Sequence, residues 1–467
     1  MDAPDVEQAV ALTAAPHTRR WFPTGRAPWI VVAVGVALRL AWATVGARSP
    51  QGLADPGIYY RAALRIANGS GYVSINDHPT AYYPPGYPWF LGSFQWVLER
   101  VGLGSHTVGA IAVAQALLSG VAIAAVIVVG DRLGGRRVGI AAGAVLALWP
   151  NLVVHSSLML SETLFVTLLS LALAGIVTLR GATGRFVWWR AVLAGGALGA
   201  ATLVRPQVLL AAAAIVLGWV ICRLPWRDVL ARTAVLAVGV MVVVAPWTIR
   251  NAIVFGELIP VSTNDGDNLC VGFSTEATGY FTMPESCNTV ELYTAGPEAE
   301  LRRQATTRDR ALEFIRRHPA ELPELTWKKL WYTYRTDSDG IWASMSFGQD
   351  PWLTGWGRRV YDVVSTVYYA VVMVAAAVGA VLAWSRSWST RRADPTAVAL
   401  VLGALASSAV PALFFGDPRF KVAATPFYAP LAAVAVVAVL NRWWGSDRPP
   451  AATPAPTTPQ PDPSTPW

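Results

Sequence analysis

The chain has 467 residues, of which 54% are hydrophobic and only 14% are charged. Most of such a sequence has to lie in lipid, which excludes an ordinary water-soluble globular protein. The net charge of +8 comes from basic residues spread over short loops such as 131–137, 223–228 and 385–392. That spread is an orientation signal and excludes a nucleic-acid-binding stripe. We therefore expect an integral membrane protein with membrane lipids, and no nucleic acid, among its partners.

Apolar segments that can cross a hydrocarbon core of about 30 Å recur along the whole chain. They lie at 28–45, 108–130, 138–154, 158–179, 191–204, 207–222, 233–249, 360–384, 396–415 and 422–440. This pattern predicts an all-α polytopic membrane protein with about ten transmembrane helices. An even number of spans puts both termini in the cytoplasm, and every arginine-rich short loop then falls on the cytoplasmic side.

The polar ends of the chain predict two small flanking regions. Residues 1–27 carry acidic side chains before any apolar run, which favours a cytoplasmic segment over a cleavable signal peptide. The membrane domain is expected to cover 28–444. The Pro/Thr-rich residues 445–467 predict a disordered cytoplasmic tail.

Two polar segments, at about 46–105 and 251–359, are too long to be ordinary connectors between spans. Both fall on the extracytoplasmic side of the predicted topology. The first mixes apolar and charged residues at 57–69 and 88–102, which is typical of helices that lie in the membrane interface. The second predicts an amphipathic helix at 298–319. We expect these two long extracytoplasmic loops to wall a cavity above the spans.

Two of the cysteines, Cys270 and Cys287, lie in the second long loop. A disulfide can persist outside the cytoplasm. Because spacing along the chain does not establish the geometry that a disulfide needs, the sequence leaves this bridge open.

Two acidic residues lie at the extracytoplasmic ends of predicted spans. Asp55 follows the first span by a few residues, where a carboxylate can take a proton from an acceptor hydroxyl or help to hold a divalent cation. Because Asp followed by Pro is also a good helix start, capping is the alternative for Asp55. Glu162 lies at the outer end of the fourth span, where a carboxylate beside hydrocarbon is a functional candidate. Helix capping is the alternative there too.

Four cations end spans on the same face, against the positive-inside rule. They are Arg205, Arg250, Arg419 and Lys421. Guanidinium groups bind phosphate oxygens in pairs, so several around one cavity predict a site for a lipid phosphate. Snorkelling to lipid headgroups is the alternative for each of them taken singly.

Aromatic residues in the first long loop are candidate contacts for a sugar or an acceptor. The proline-rich segment 77–89 holds His78 and Tyr83 in a rigid turn, which suits stacking on a sugar. Tyr59 and Tyr60 are further candidates from the segment before it. An ordinary aromatic belt at the membrane surface is the alternative.

The second long loop offers polar candidates at 262–274. This segment is rich in polar residues and glycine and predicts a loop that hydrogen-bonds a sugar, with Asn264 and Asn268 as the contacts. A plain turn-rich linker is the alternative. Asp265 and Asp267 match the spacing of an Asp-x-Asp metal pair, but that spacing is common by chance, so the metal ligands are unknown and a divalent cation is left open.

The order of these motifs, more than any one of them, carries a resemblance to a known family. The matching segments are 59–72, 83–88, 161–165, 203–206, 246–269, 312–322 and 417–431, together with the acid Asp55. They run from about residue 38 to 439. In this order and on these sides of the membrane, they resemble the C-type membrane glycosyltransferases, specifically the family 39 group of protein O-mannosyltransferases and the lipid A aminoarabinose transferase.

The resemblance implies a polyprenyl-phosphate sugar as donor, and we expect inverting transfer to a hydroxyl-bearing acceptor. It implies that Asp55 is the catalytic carboxylate, that Glu162 is the second acidic catalytic position and that the four cations lie near the lipid phosphate. The sequence departs from the family where Pro56 follows Asp55, since many members have two adjacent acids there. That departure puts a two-carboxylate metal site in doubt.

The expected function is transfer of a hexose or pentose to a protein, a cell-wall glycan or a glycolipid at the outer face of a bacterial plasma membrane. A transporter or flippase of a lipid-linked sugar is the alternative from another class. Transporters place ionisable residues near the bilayer midplane and often show repeat symmetry. Here the acids cluster at the outer rim, which favours the enzyme.

Overall fold

The computed structural model describes residues 22–52, 54–179, 188–288, 296–346, 352–389 and 394–445. The predicted N-terminal segment 1–27 lies outside these residues up to position 21. The predicted tail 445–467 lies outside them from position 446 onward.

The described chain is built from α-helices joined by short turns and two long segments. In chain order they are α1 (Arg26–Gly46), α2 (Asp55–Ala67), α3 (Gly86–Arg100), α4 (Thr107–Gly134), α5 (Arg136–Ala147), α6 (Pro150–His155), α7 (Glu162–Val177), α8 (Trp188–Val204), α9 (Val208–Ile221), α10 (Trp226–Phe255), α11 (Asp265–Gly272), α12 (Pro297–Arg317), α13 (Leu322–Tyr334), α14 (Asp339–Ser346), α15 (Gly355–Ser389), α16 (Pro395–Leu413), α17 (Arg419–Val422) and α18 (Thr425–Gly445). Three short 3-10 turns, Gly104–His106, Glu285–Cys287 and Pro319–Glu321, lie between them.

Six of the described helices are long and apolar enough to cross a membrane, namely α1, α4, α10, α15, α16 and α18. Three shorter apolar helices, α7, α8 and α9, complete the apolar set. The predicted all-α polytopic membrane fold is confirmed, while the count of about ten spans is not. The third predicted span, 138–154, is divided into α5 and α6. The break lies at Pro150, which has no backbone N–H to continue α5 and instead begins α6.

The break at Pro150 leaves carbonyl groups at the end of α5 without helical partners. Arg39, which is 1% exposed inside α1, donates to the carbonyl oxygens of Leu146 and Ala147 at 3.1 and 2.9 Å. A buried arginine needs such acceptors. Arg39 therefore joins α1 to the end of α5, and the structure gives it no contact with the candidate site.

The centre of the bundle is α4, which packs against α1, α5, α7 and α18. Its buried face includes Ile123, Val126 and Ile127. Elsewhere helices approach through small residues: a Cβ added to Gly239 of α10 would lie 2.7 Å from the Cα of Gly195 in α8. Glycine on both helices permits this separation, as is common where membrane helices pack closely.

Two long segments lie between α1 and α4 (residues 47–106) and between α10 and α15 (residues 256–354); we call them the first and second long segments. Glu300 of α12 joins them. Its carboxylate accepts hydrogen bonds from Thr80 Oγ1 at 2.7 Å and Ala81 N at 2.9 Å in the first, and from Thr263 Oγ1 at 2.6 Å in the second. The two segments therefore pack on each other at one end of the bundle, which we call the long-segment face.

The predicted sugar-binding loop at 262–274 is largely a helix, so this part of the prediction is wrong. Residues Asp265–Gly272 form α11, with Asp265 and Asp267 in its first turn, where acidic side chains favour the positive end of a helix. Cys270 and Val271 are buried and anchor it. The glycines in this segment favour a loop. The burial that stabilises the helix depends on tertiary contacts, which the sequence does not show.

The disulfide that the sequence left open is present. Cys270 and Cys287 are bonded, with Cα atoms 5.9 Å apart and a sequence separation of 17. The bridge fastens α11 to the turn at Glu285–Cys287.

We expect the double substitution Cys270→Ser and Cys287→Ser to lower the free energy of unfolding by about 3 kcal/mol, because a loop of this length gains that much chain entropy when it is released. Thermal unfolding in detergent measures this loss. Cys222→Ser is the matched control, since Cys222 is a free cysteine. Equal unfolding temperatures for the two proteins would show that the bridge contributes no stability.

Candidate active site

A cavity of about 1490 Å³ opens at the long-segment face. Its wall combines the ends of several bundle helices with both long segments, and the residues that matter for the argument are Asp55, Tyr59, Arg65, His78, Tyr83, Ser161, Arg205, Asn264, Asp267, Asn268, Arg303, Arg335, Asp339, Trp342, Arg358, Asp362, Asp417 and Arg419. It is mixed in character, with hydrocarbon side chains such as Leu209, Leu210 and Phe420 beside the charged ones. A ligand that is part lipid and part polar fits such a lining.

Asp55 begins α2 and faces this cavity. Its Oδ1 accepts a hydrogen bond from Tyr83 Oη at 3.0 Å, and its Oδ2 accepts one from Arg419 Nη1 at 2.9 Å. The side chain makes no capping hydrogen bond to α2, so the capping alternative does not account for it. Burial, and then the charge of Asp55, raise the pKa of Tyr83 well above its usual value. The phenol therefore keeps its proton and remains a donor to the carboxylate.

Glu162 begins α7 and holds two arginines together. Its Oε1 accepts hydrogen bonds from Arg205 Nη2 at 2.5 Å and from Arg419 Nε at 2.8 Å. Arg205 also donates through Nε to Ser161 Oγ at 3.0 Å. Neither Ser161 nor Glu162 makes a side-chain cap on α7. The capping alternative is therefore unsupported here as well.

These contacts form a chain of alternating charge, in the order Asp55, Arg419, Glu162, Arg205. The Glu162 side chain is 1% exposed whereas that of Asp55 is 29% exposed. Asp55 is therefore the carboxylate that a ligand in the cavity can reach, and Glu162 fixes the arginines from behind. Two carboxylates balance two guanidinium groups, so the cluster is close to neutral before any ligand binds.

The other two predicted phosphate-binding cations do not line the cavity. Arg250 donates to the carbonyl oxygens of Thr80 at 2.8 Å and Tyr72 at 3.0 Å, and its guanidinium lies 4.8 Å from the Trp247 ring centroid. These contacts fasten α10 to the first long segment. Lys421 is 1% exposed and belongs to a buried network that reaches the cavity wall at Asp339.

That network surrounds two carboxylates in the second long segment. Lys421 Nζ lies 3.2 Å from Asp337 Oδ1 and 3.9 Å from Asp339 Oδ1. Asn151 donates to both carboxylates, at 3.1 and 2.7 Å, and His155 Nε2 lies 2.8 Å from Asp339 Oδ2. Although burial opposes its ionisation, His155 and Lys421 hold the pKa of Asp339 well below its usual range.

Sequence reasoning did not select the acidic members of this network. The signal available was the pair of acids Asp337 and Asp339, two residues apart, of which Asp339 begins α14. Such a pair is typical of an ordinary polar loop. Its partners Asn151, His155 and Lys421 come from distant parts of the chain, so the sequence does not show that the acids are paired.

The predicted sugar and acceptor contacts lie in the cavity wall with one exception. Tyr59, His78, Tyr83, Asn264 and Asn268 all line it, whereas Tyr60 does not. The Tyr59 ring packs edge-on against those of Tyr83 and Tyr87, with centroids 5.3 and 5.4 Å apart. These aromatic contacts set the position of Tyr83 beside Asp55.

The Asp-x-Asp pair in α11 is engaged within the protein. Asp267 accepts from Arg303 Nε at 3.0 and 2.8 Å and from Tyr82 Oη at 2.6 Å, and Gln304 donates to Asp265. No group of three His, Cys, Asp or Glu side chains placed to hold a metal ion occurs among the described residues. Asp265 and Asp267 thus have protein partners in this structure, and we derive no step through a metal ion.

Asp417 is a further carboxylate in the wall that sequence reasoning did not select. Its Oδ1 accepts from the backbone N–H of Arg419 at 2.8 Å, which positions the start of α17. Burial raises its pKa, against the opposing effect of Arg419. Asp417 orients the arginine that bridges the two site carboxylates.

A lysine behind the cavity wall gives a pH prediction. Lys329 of α13 is buried, its Nζ has no hydrogen-bond partner among the described residues, and it lies 3.2 Å from the centroid of the Phe273 ring. Burial lowers its pKa to about 7, whereas an unfolded lysine titrates near 10.4. From about pH 7 to 10 the unfolded chain therefore binds a proton that the folded chain does not, so stability rises with pH.

We expect the unfolding temperature of the wild type to rise relative to that of Lys329→Met between pH 7 and pH 9, because the variant lacks this titration. Thermal unfolding across that range measures the difference. Lys328→Met is the control, since Lys328 is half-exposed and pairs with Glu324. A constant difference between wild type and Lys329→Met would contradict the prediction.

One segment of the chain matches a known protein family. Residues 77–249 match the family model described as dolichyl-phosphate-mannose-protein mannosyltransferase. The matched segment contains Tyr83, Glu162 and Arg205. No curated protein sequence matches the chain.

Solved structures share the fold. ArnT from Cupriavidus metallidurans, bound to undecaprenyl phosphate, is 16% identical with a TM-score of 0.50, and the match covers 90% of this chain and 61% of that one. The archaeal oligosaccharyltransferase AglB from Archaeoglobus fulgidus, in complex with an inhibitory peptide and a dolichol-phosphate, is 14% identical with a TM-score of 0.51, over 90% of this chain and 51% of that one. The chain thus spans between half and about three fifths of the length of these proteins. The family model thus matches one segment of the chain, and the solved structures share its fold, in agreement with the fold that the sequence resemblance predicted.

Proposed function

We propose that the protein transfers a sugar from a polyprenyl-phosphate donor to a hydroxyl acceptor, at the outer face of a bacterial plasma membrane. The observation that carries the proposal is the Asp55 carboxylate, which faces a large cavity of mixed polarity and is held between a tyrosine and an arginine. The acceptor is a protein, a cell-wall glycan or a glycolipid. The neighbours in the fold were solved with undecaprenyl phosphate and with a dolichol-phosphate, which supports a lipid-linked donor.

The proposed reaction is a single displacement. The acceptor oxygen attacks the anomeric carbon while Asp55 takes the hydroxyl proton as general base. The bond from the anomeric carbon to the phosphate oxygen breaks, and its electron pair leaves with the polyprenyl phosphate. Attack from the face opposite the leaving group inverts the anomeric configuration.

The arginines provide the electrostatic part of the proposal. Charge returns to the lipid phosphate as the bond breaks, and preorganised guanidinium groups stabilise it. We assign this role to Arg205 and Arg419, which line the cavity. Because Arg419 Nη1 bonds to Asp55, a phosphate that competes for this donor would free Asp55 Oδ2 for the acceptor hydroxyl. Donor binding would thereby prepare the base.

Arg250 and Lys421 have a structural role in this proposal and do not contact the donor. Arg250 holds the first long segment against α10 through backbone carbonyl groups. Lys421 pairs with Asp337 and lies 3.9 Å from Asp339, which lines the cavity. Each keeps a wall of the cavity in place.

A donor that carries one label in its sugar and another in its lipid tests the function. A transferase in proteoliposomes separates the two labels, and does so only when an acceptor is supplied. A flippase moves both labels across the bilayer together. Intact transfer of both labels, with no separation in the presence of a membrane extract as acceptor, would refute the proposal.

A further inference from the structure

The cavity contains arginines that differ in how their charge is balanced. Among the described residues, six arginines line it: Arg65, Arg205, Arg303, Arg335, Arg358 and Arg419. Four of these have a close carboxylate partner: Arg65 with Asp77 at 2.6 Å, Arg205 and Arg419 with Glu162, and Arg303 with Asp267. The remaining two are Arg335 and Arg358.

Arg335 carries an uncompensated charge. It lies at the C-terminal end of α13 and is exposed. Among the described residues its guanidinium contacts the Tyr332 ring, 4.5 Å from the centroid, and no carboxylate. Arg358, in the first turns of α15, has Asp362 at 3.9 Å as its one carboxylate neighbour within the described part of the chain, and it stacks over the Trp342 ring at 4.1 Å. These two arginines and Asp362 leave one net positive charge in this wall.

The wall that holds both arginines is one connected unit. The backbone N–H of Asp337 donates to Thr366 Oγ1 of α15 at 3.2 Å, and Trp342 of α14 lies under Arg358. The segment that follows Arg335 is therefore fastened to α15 at two points. We call this unit, comprising Arg335, Trp342, Arg358 and Asp362, the lateral wall.

The lateral wall lies where a membrane-spanning helix begins. The first turns of α15 carry Trp356, which is 79% exposed, and Trp342 is 50% exposed. Exposed tryptophans next to the end of a span are typical of the membrane interface. An anion that is attached to a lipid would enter the cavity at this level, with its charge at headgroup depth.

We propose that Arg335, with Arg358, is the first contact for the phosphate of the lipid-linked donor, distinct from the Arg205 and Arg419 contact at the reacting centre. The inference rests on the proposed function. A guanidinium without a carboxylate partner can bind phosphate without first breaking an ion pair. Arg205 and Arg419 must first weaken their ion pairs with Glu162. Binding at the lateral wall would therefore set affinity for the donor, and the cluster around Asp55 would set the rate.

The test uses undecaprenyl phosphate as the probe, with the full-length protein in nanodiscs. We expect Arg335→Gln to weaken its binding by roughly ten-fold or more, since a charge-assisted hydrogen bond to phosphate contributes that much to affinity. In the transfer assay the donor KM should rise by a similar factor with kcat nearly unchanged. Arg335→Lys, which keeps the charge but not the paired donors, should show a smaller loss.

Arg308→Gln is the matched control, because Arg308 is exposed on α12 and does not line the cavity. Since Arg335 donates no hydrogen bond within the described structure, its variant should unfold at the wild-type temperature. Equal undecaprenyl phosphate binding in Arg335→Gln and Arg308→Gln would overturn the inference. Full displacement of the probe by phosphatidylglycerol at equal concentration would overturn it too, because the wall would then be a general headgroup site.

The two proposals fail in different ways. If undecaprenyl phosphate binds in an Arg335-dependent manner but no donor sugar is ever transferred, the proposed function is wrong and the anion contact stands. If transfer occurs with an unchanged donor KM in Arg335→Gln, the proposed function stands and the lateral wall is not the donor contact.

Discussion

Asp55→Asn is expected to slow sugar transfer by about 10²- to 10⁴-fold while leaving the fold and donor binding nearly unchanged. The amide cannot accept the acceptor's proton, and general-base catalysis typically contributes about 10²- to 10⁴-fold to the rate. The fold should persist, because Arg419 keeps its contact with Glu162 and the Asp55 side chain does not cap α2. We expect kcat to fall by that factor with little change in the donor KM, measured as release of polyprenyl phosphate in proteoliposomes.

Glu298→Gln is the control for this substitution, because Glu298 is exposed on α12 and does not line the cavity. It should retain wild-type turnover. If Asp55→Asn unfolds at the wild-type temperature and keeps wild-type turnover, Asp55 is not the general base.

Lys421→Met is expected to be the most destabilising single substitution that the structure suggests. Removing the ammonium group leaves Asp337 and Asp339 buried with one cation fewer, and breaking a buried ion pair in this way costs about 3–5 kcal/mol. The loss should shrink at acid pH, because the two carboxylates would then have raised pKa values in the folded state and would bind protons there more readily than in the unfolded chain. Unfolding in detergent at pH 5 and at pH 8 measures both effects.

Lys328→Met provides the comparison for Lys421→Met, since Lys328 pairs with Glu324 on the surface, where an ion pair contributes about 0–1 kcal/mol. Equal losses in the two variants would mean that the buried network is not held together by charge. A loss relative to the wild type that is as large at pH 5 as at pH 8 would contradict this linkage to the two carboxylates.

The sequence predicted those site residues that can be recognised as charges at the end of an apolar span. Asp55, Glu162, Arg205 and Arg419 each stand at the end of an apolar span, where a charge is costly, and the structure brings all four into one chain of contacts. Lys421 has the same kind of position, yet it does not line the cavity and pairs with Asp337 instead. Position along a span thus predicts that a charge has a partner, but not whether that partner is a ligand or the protein.

The features that sequence reasoning missed depend on contacts between distant segments. Asp337 and Asp339 resemble loop residues until Asn151, His155 and Lys421 surround them. The helix α11 was predicted as a loop because its stability comes from burial and the bridge to Cys287.

The span count was difficult for a related reason. Hydropathy does not show that Pro150 divides the third apolar segment into α5 and α6, because both sides of the break are apolar. Arg39 donates to the carbonyl groups at the end of α5 and therefore lies beside the break, but a hydropathy plot does not show this contact.

The most direct test of the account is whether the wild-type protein cleaves a lipid-linked sugar. Purified protein in proteoliposomes is given a panel of polyprenyl-phosphate sugars with a membrane extract as acceptor, and free polyprenyl phosphate is measured. The account predicts release with at least one donor, dependent on the acceptor and slowed by about 10²- to 10⁴-fold in Asp55→Asn. No release with any donor, from protein that is folded by its unfolding transition, would contradict the assignment of the cavity to glycosyl transfer.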